Sequence, residues 1–122
     1  MRIFKTKWFA RFAEDEQISD ATLWQTIEKA NSGLVDANLG GGLIKQRIAR
    51  QGQGSSGGRR VLIAYNCGNL AVFLYGFAKN ERDNIKNDEL TTLRELALKY
   101  LTAGDKSLET EIKAGRMFEV KL

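Results

Sequence analysis

No histidine occurs anywhere in the 122 residues. The chain therefore lacks the commonest general base and the commonest transition-metal ligand, and it can build no Ser-His or Cys-His nucleophile pair. Cysteine is nearly absent too: Cys67 stands alone, which excludes an internal disulfide and a cysteine zinc cluster. What remains implies neither a metal nor a cofactor. No stretch approaches the roughly 20 apolar residues of a membrane span. The opening "MRIFKTKWFARFAEDEQ" has neither the apolar run nor the small-residue cleavage site of a signal peptide. A cytoplasmic protein without a membrane partner is expected.

A further absence is local. Residues 37–80 carry six basic side chains and no acid, whereas residues 1–36 carry five basic and six acidic ones and residues 81–122 carry eight and nine. The net charge of +4 comes wholly from the middle. A block of one sign is the electrostatic footprint of a site for phosphates; a merely solvated basic face is the plainer alternative and stays open at this point. The rest of the composition is ordinary. Apolar residues at 43% and charged residues at 28% fit a single domain over residues 1–122, long enough to bury a core and too short to hold two.

Periodicity gives the order of elements. "RIFK" reads as a strand and "KWFARFAEDE" as a helix; Ser19 is placed to cap a second helix through Ala30, with Gly33 just past its end. After "NLGGG" the period changes to two, so that Ile44, Gln46 and Ile48 point one way while Leu43, Lys45, Arg47 and Ala49 point the other. "RRVLIAY" and "LAVFLYGFA", joined by the turn "NCGN", complete a hairpin meander. Asp88 is expected to cap a helix with an apolar stripe of Leu90, Leu93, Ala97, Tyr100 and Leu101. A last helix runs from about Asp105 to Gly115, and "RMFEVKL" reads as a terminal strand. The expected class is α+β, an antiparallel sheet packed against helices on one side. The open side would carry Lys45, Arg47 and Arg60 together, because neighbouring strands lie only about 4.8 Å apart.

Between those strands, Gly52 to Gly57 spells G-x-G-x-x-G. As a dinucleotide fingerprint it would have to open a helix, and here a strand follows. A kinase-like glycine loop fails as well, since Arg59 stands where a packing valine belongs. Two readings remain. One is a hairpin tip without a ligand; in the other, Gly57 and Gly58 let the backbone approach a phosphodiester, with Arg50, Arg59 and Arg60 as cationic neighbours.

"GGGLIKQRIARQGQGSSGGRR" followed by "YGFAKNERDNI" resembles the HigB-type branch of the RelE/ParE superfamily of toxins from type II toxin–antitoxin operons, and the likeness extends to the opening "FKTKWFARFA". The resemblance implies a microbial RNase-like fold and a metal-independent endoribonuclease that cuts mRNA in the ribosomal A site. It also implies a cognate antitoxin, commonly of helix-turn-helix type. Lys45 and Arg47 fall where related toxins keep two basic residues on a central strand, Arg60 on the arginine that opens the next strand, and Lys79 to Arg82 on the basic run after the meander. The sequence departs from the family pattern at Ser55, where many members have a basic residue, and at Arg59, where many have an aromatic. Asn80 and Ile85 replace an arginine and a tyrosine of RelE proper.

RNA cleavage without histidine needs a group to take the 2′-OH proton, cations for the phosphorane, and a donor for the leaving 5′-oxygen. A lysine can serve as the base where like charges crowd it. Lys45 is the candidate, with Glu81 or Asp83 as competing carboxylates. Arg60 suits a grip on two phosphate oxygens with Arg47 as its helper, and Lys79 or Arg82 would neutralise the leaving oxygen. Tyr65 and Tyr75 are expected to pack within the sheet rather than stack on bases. Two other classes stay open: a ParE-like gyrase inhibitor, and a non-catalytic RNA-binding module. The second is disfavoured because residues 43–64 hold no aromatic platform.

Overall fold

The computed structural model describes residues 1–50, 54–82 and 84–121. In chain order the elements are β1 (Arg2–Thr6), α1 (Lys7–Asp15), α2 (Asp20–Asn31), β2 (Ala37–Gly40), β3 (Leu43–Arg50), β4 (Gly54–Asn66) and β5 (Leu70–Ala78), then α3 (Asn87–Thr102), α4 (Asp105–Lys113) and β6 (Met117–Glu119). Local chemistry sets the helix starts. Thr6 Oγ1 accepts the Phe9 N–H at 3.1 Å and opens α1, and Ser19 Oγ accepts the Thr22 N–H at 3.2 Å and opens α2. For α3 the expected cap is corrected: Lys86 holds the N-cap position and the Glu89 carboxylate takes its N–H at 3.0 Å, so Asp88 lies inside the first turn.

The strands form one sheet in the order β2-β3-β4-β5-β1-β6. The β3-β4-β5 meander is antiparallel as the sequence indicates. Two features differ from expectation. Strand β1 lies parallel to β5, with Ile3 opposite Ala71 and Phe4 opposite Val72, so the sheet is mostly rather than wholly antiparallel. The glycine-rich segment is already strand from Gly54 onward, with Arg50 opposite Gly54; the tip, including Gly52, lies outside the described residues.

Helices cover both faces of the sheet, which corrects the one-sided arrangement expected. Ile3, Ile44, Val61, Ile63 and Phe73 pack with Phe9 of α1 and Leu23 and Ile27 of α2. Phe4, Leu43, Leu62 and Val72 pack with Ala97 and Tyr100 of α3 and Leu108 of α4. The cause is visible in β5, where only Tyr75 of the nine residues escapes burial: an unbroken apolar strand has no face to give to water. Two glycines permit the close approaches. A Cβ on Gly76 would collide with the Phe12 ring of α1, and a Cβ on Gly42 (φ +84) with Leu101 of α3.

Candidate functional site

Alternation along β3 sorts its side chains. Ile44, Gln46 and Ile48 are buried, Lys45 is half-buried and Arg47 is exposed. Register then brings the cations together: Arg47 sits directly opposite Arg60, and Lys45 opposite Leu62. Like charges directly opposite on adjacent strands destabilise a sheet, a cost that Asp36 beside Arg47 offsets on one side only and that an anion between the two would offset further. Arg60 makes the point more sharply. Its Nη1 is buried and, among the described residues, has no hydrogen-bond partner, a condition native proteins seldom leave uncompensated.

Strand β2 pairs with β3 only as far as Lys45, and beyond that point a hollow of about 180 Å³ opens at the β3 edge. Arg47, Gly58 and Arg60 line it together with Lys29 from α2. The position of Arg47 is itself fixed. Asp36 Oδ2 accepts its N–H at 2.7 Å, and Asp36 Oδ1 lies 3.4 Å from its Nε. Asp36 is held in turn by buried Gln46, whose Oε1 accepts the Asp36 N–H at 2.7 Å while Nε2 donates to the Leu34 carbonyl at 3.0 Å. A glutamine 1% exposed thus ties β3 to the segment that aims Arg47.

The other sequence-selected residues divide. Lys79 is exposed and its N–H reaches the Gly58 carbonyl at 3.1 Å, which puts it at the end of β5 beside the hollow. Arg82 is committed elsewhere: it donates to both Glu89 oxygens (3.1 and 2.6 Å), to the Asn84 carbonyl at 3.0 Å and to the Tyr75 hydroxyl at 3.3 Å. That bidentate grip holds the Glu89 carboxyl at about 2, well below its ordinary 4.5. Arg59 is 5% exposed and lines a different hollow, towards α2, because consecutive strand residues face opposite ways. It does not share the Arg60 face. Gly57 lies within β4 and Arg50 at the end of β3; Glu81 is exposed in the turn after β5, and Asp83 lies outside the described residues.

The two tyrosines pack within the protein as expected. Tyr75 stacks on Trp8 with centroids 4.6 Å apart. Tyr65 donates to Asn31 Oδ1 at 2.5 Å, and burial, with Cys67 beside it, pushes its phenol up to about 12. Sequence reasoning missed Lys29 and Asp36. Lys29 reaches the site from α2 and Asp36 from the segment just before β2, across the β2–β3 pairing, and no periodicity could have marked them; the hint the sequence holds is that Asp36 is the last acid before the wholly basic segment.

The arrangement has the chemistry to hold an anion. Two arginines from adjacent strands and a lysine from a helix line one hollow, with the Lys79 backbone bonded to Gly58 at its rim and Lys45 two residues along β3 from Arg47 on the same side. A family model described as RelE toxin of RelE / RelB toxin-antitoxin system matches residues 1–120. No curated protein matches the chain. Among the described residues, no helix is long and apolar enough to cross a membrane.

Proposed function

Because the chain belongs to the RelE toxin family of toxin–antitoxin systems, we propose that it is a metal-independent endoribonuclease of the HigB-type branch that cuts mRNA in the ribosomal A site. The observation that carries this reading is the Arg47–Arg60 pair, two cations set face to face with a buried Nη1 on Arg60 that has no partner among the described residues. Such a pair is stabilised by a phosphodiester between its members.

In this reading Arg60 grips the non-bridging oxygens of the scissile phosphate, and Arg47, braced by Asp36, assists. Lys45 takes the proton from the 2′-OH as that oxygen attacks phosphorus in line; Glu81 and Asp83 are the competing bases. The P–O5′ bond breaks and Lys79 gives its proton to the leaving oxygen, a task for which Arg82, bound to Glu89, is poorly placed. The products are a 2′,3′-cyclic phosphate and a 5′-hydroxyl. So small a catalytic set depends on substrate held in a reactive geometry, which the ribosomal A site supplies. A cognate antitoxin, of helix-turn-helix type, covers the cationic site in the resting cell.

Induced alone, the protein is expected to arrest growth with message cut inside coding regions, and the purified protein to cut translated RNA well and naked RNA poorly. Normal growth with intact message would sink the nuclease reading, and equal rates on the two RNAs would remove the ribosome from it. Co-expression with the gene product adjacent to it is expected to restore growth and give a co-purifying complex.

A further inference from the structure

The hollow beside Arg60 does not end there. A larger one, of about 540 Å³, adjoins it, shares Lys29 and Arg47 with it, and continues along α2 past Gln25 and Thr22 to Gln17. The two together form a trough with the free part of β3 as one wall and α2 as the other. We infer that this trough is the bed of the RNA chain beyond the scissile phosphate, with the sugar-phosphate backbone running along α2. The inference rests on the nuclease reading above for where the chain enters, at Arg60.

The chemistry of the walls decides the class of ligand. Among the described residues lining either hollow none is an acid; Lys29, Arg47, Arg59 and Arg60 supply positive charge, and beside them and the apolar Ile48 and Ala49 the larger hollow offers amide and hydroxyl groups. Cations match phosphates, and short amide and hydroxyl side chains match ribose hydroxyls and phosphate oxygens. Size points the same way. The larger hollow falls in the range of about 300–1,000 Å³ that holds an organic ligand, more than a single phosphate requires.

No aromatic side chain lines it among the described residues, so the trough offers nothing on which a base would stack. It is built to follow a backbone without reading its sequence. Gln17, at the far end, is the residue that ends α1: it has φ +57, and its N–H and that of Ile18 return to the Glu14 and Ala13 carbonyls at 3.2 and 2.8 Å.

The test is binding, separated from cleavage. Affinity of the purified toxin for a short single-stranded RNA with 2′-O-methyl groups, which removes the attacking hydroxyl, is measured by fluorescence anisotropy at several salt concentrations. Lys29→Ala is expected to weaken binding several-fold, equally for uridine-rich and adenine-rich oligonucleotides, and to lower the salt dependence by about one counterion. Lys29→Glu is expected to weaken it further, and Lys29→Arg to restore it. Gln25→Ala should give a smaller loss with the salt slope unchanged, and Lys113→Glu, exposed on α4, should leave binding as it was.

Unaltered affinity and slope in Lys29→Glu, with circular dichroism showing the fold intact, overturns the inference. So does a loss confined to binding of the antitoxin, which would assign the trough to an acidic peptide. A wild-type protein that binds this RNA through Lys29 and yet leaves translated message uncut defeats the nuclease reading and leaves the trough standing.

Discussion

At the scale of single residues, the proposed function has the Arg60 guanidinium meet charge that builds only in the transition state. Arg60→Ala is therefore expected to lower the single-turnover cleavage rate on programmed ribosomes by about 10²–10³-fold while circular dichroism is unchanged. Lys45 is tested by replacement with another cation. Lys45→Arg keeps the charge and cannot release a proton near neutrality, so activity should collapse as in Lys45→Ala if Lys45 is the base, and largely persist if it only stabilises the phosphorane. Near wild-type rates for both Lys45→Ala and Arg60→Ala would move the active site to Glu81 and its neighbours. Arg82 lends itself to a different experiment. Glu89 has a folded-state value near 2 against an ordinary 4.5, so its pairing with Arg82 adds stability above about pH 4.5 that is lost as pH falls towards 2. The gap in melting temperature between wild type and Glu89→Gln should be present at pH 7 and shrink on acidification; a gap independent of pH would show that the pairing contributes nothing.

At the scale of elements, what the sequence made legible follows from how local each cause is. The period of two in β3 placed Lys45 and Arg47 on one side because alternation is a property of the strand itself, and the Ser19 cap was read from the residue that makes it. Grouping Arg59 with Arg60 ignored the same rule, since neighbours in a strand cannot share a face. Strand β2 went unseen because "ANLG" is only four residues long, too short for its alternation to stand out, and its pairing is decided by Lys45 and Ile44 opposite. The two-sided cover of the sheet was in fact written in "LAVFLYGFA", whose lack of alternation marks a strand buried on both faces. Gly76 is where that cover touches most closely. Gly76→Ala should force α1 away from β5 and cost about 1–3 kcal/mol in denaturant melts, whereas at Gly68, where a Cβ would meet nothing, alanine should show only the penalty of its positive φ.

At the scale of the whole molecule, contacts between separate elements escape a reading that proceeds along the chain, and Lys29 enters the site from α2 by such a contact. The same is true of β1. Its neighbours in the sheet are residues 70–73 on one side and 117–119 on the other, so the first strand of the sequence must wait for β5 before it can be paired, and β6 must wait for β1. Closing so long a loop loses chain entropy before any contact is gained, which places this step late in folding. The kinetic consequence is specific: Ile3→Val, worth about 1 kcal/mol at a wholly buried position, should appear almost entirely as faster unfolding, with the refolding rate unchanged. Until that step is complete Ile3 and Phe4 lie open to solvent, and a chain interrupted there exposes an apolar strand with no partner, an invitation to chaperones and proteases before it is a toxin.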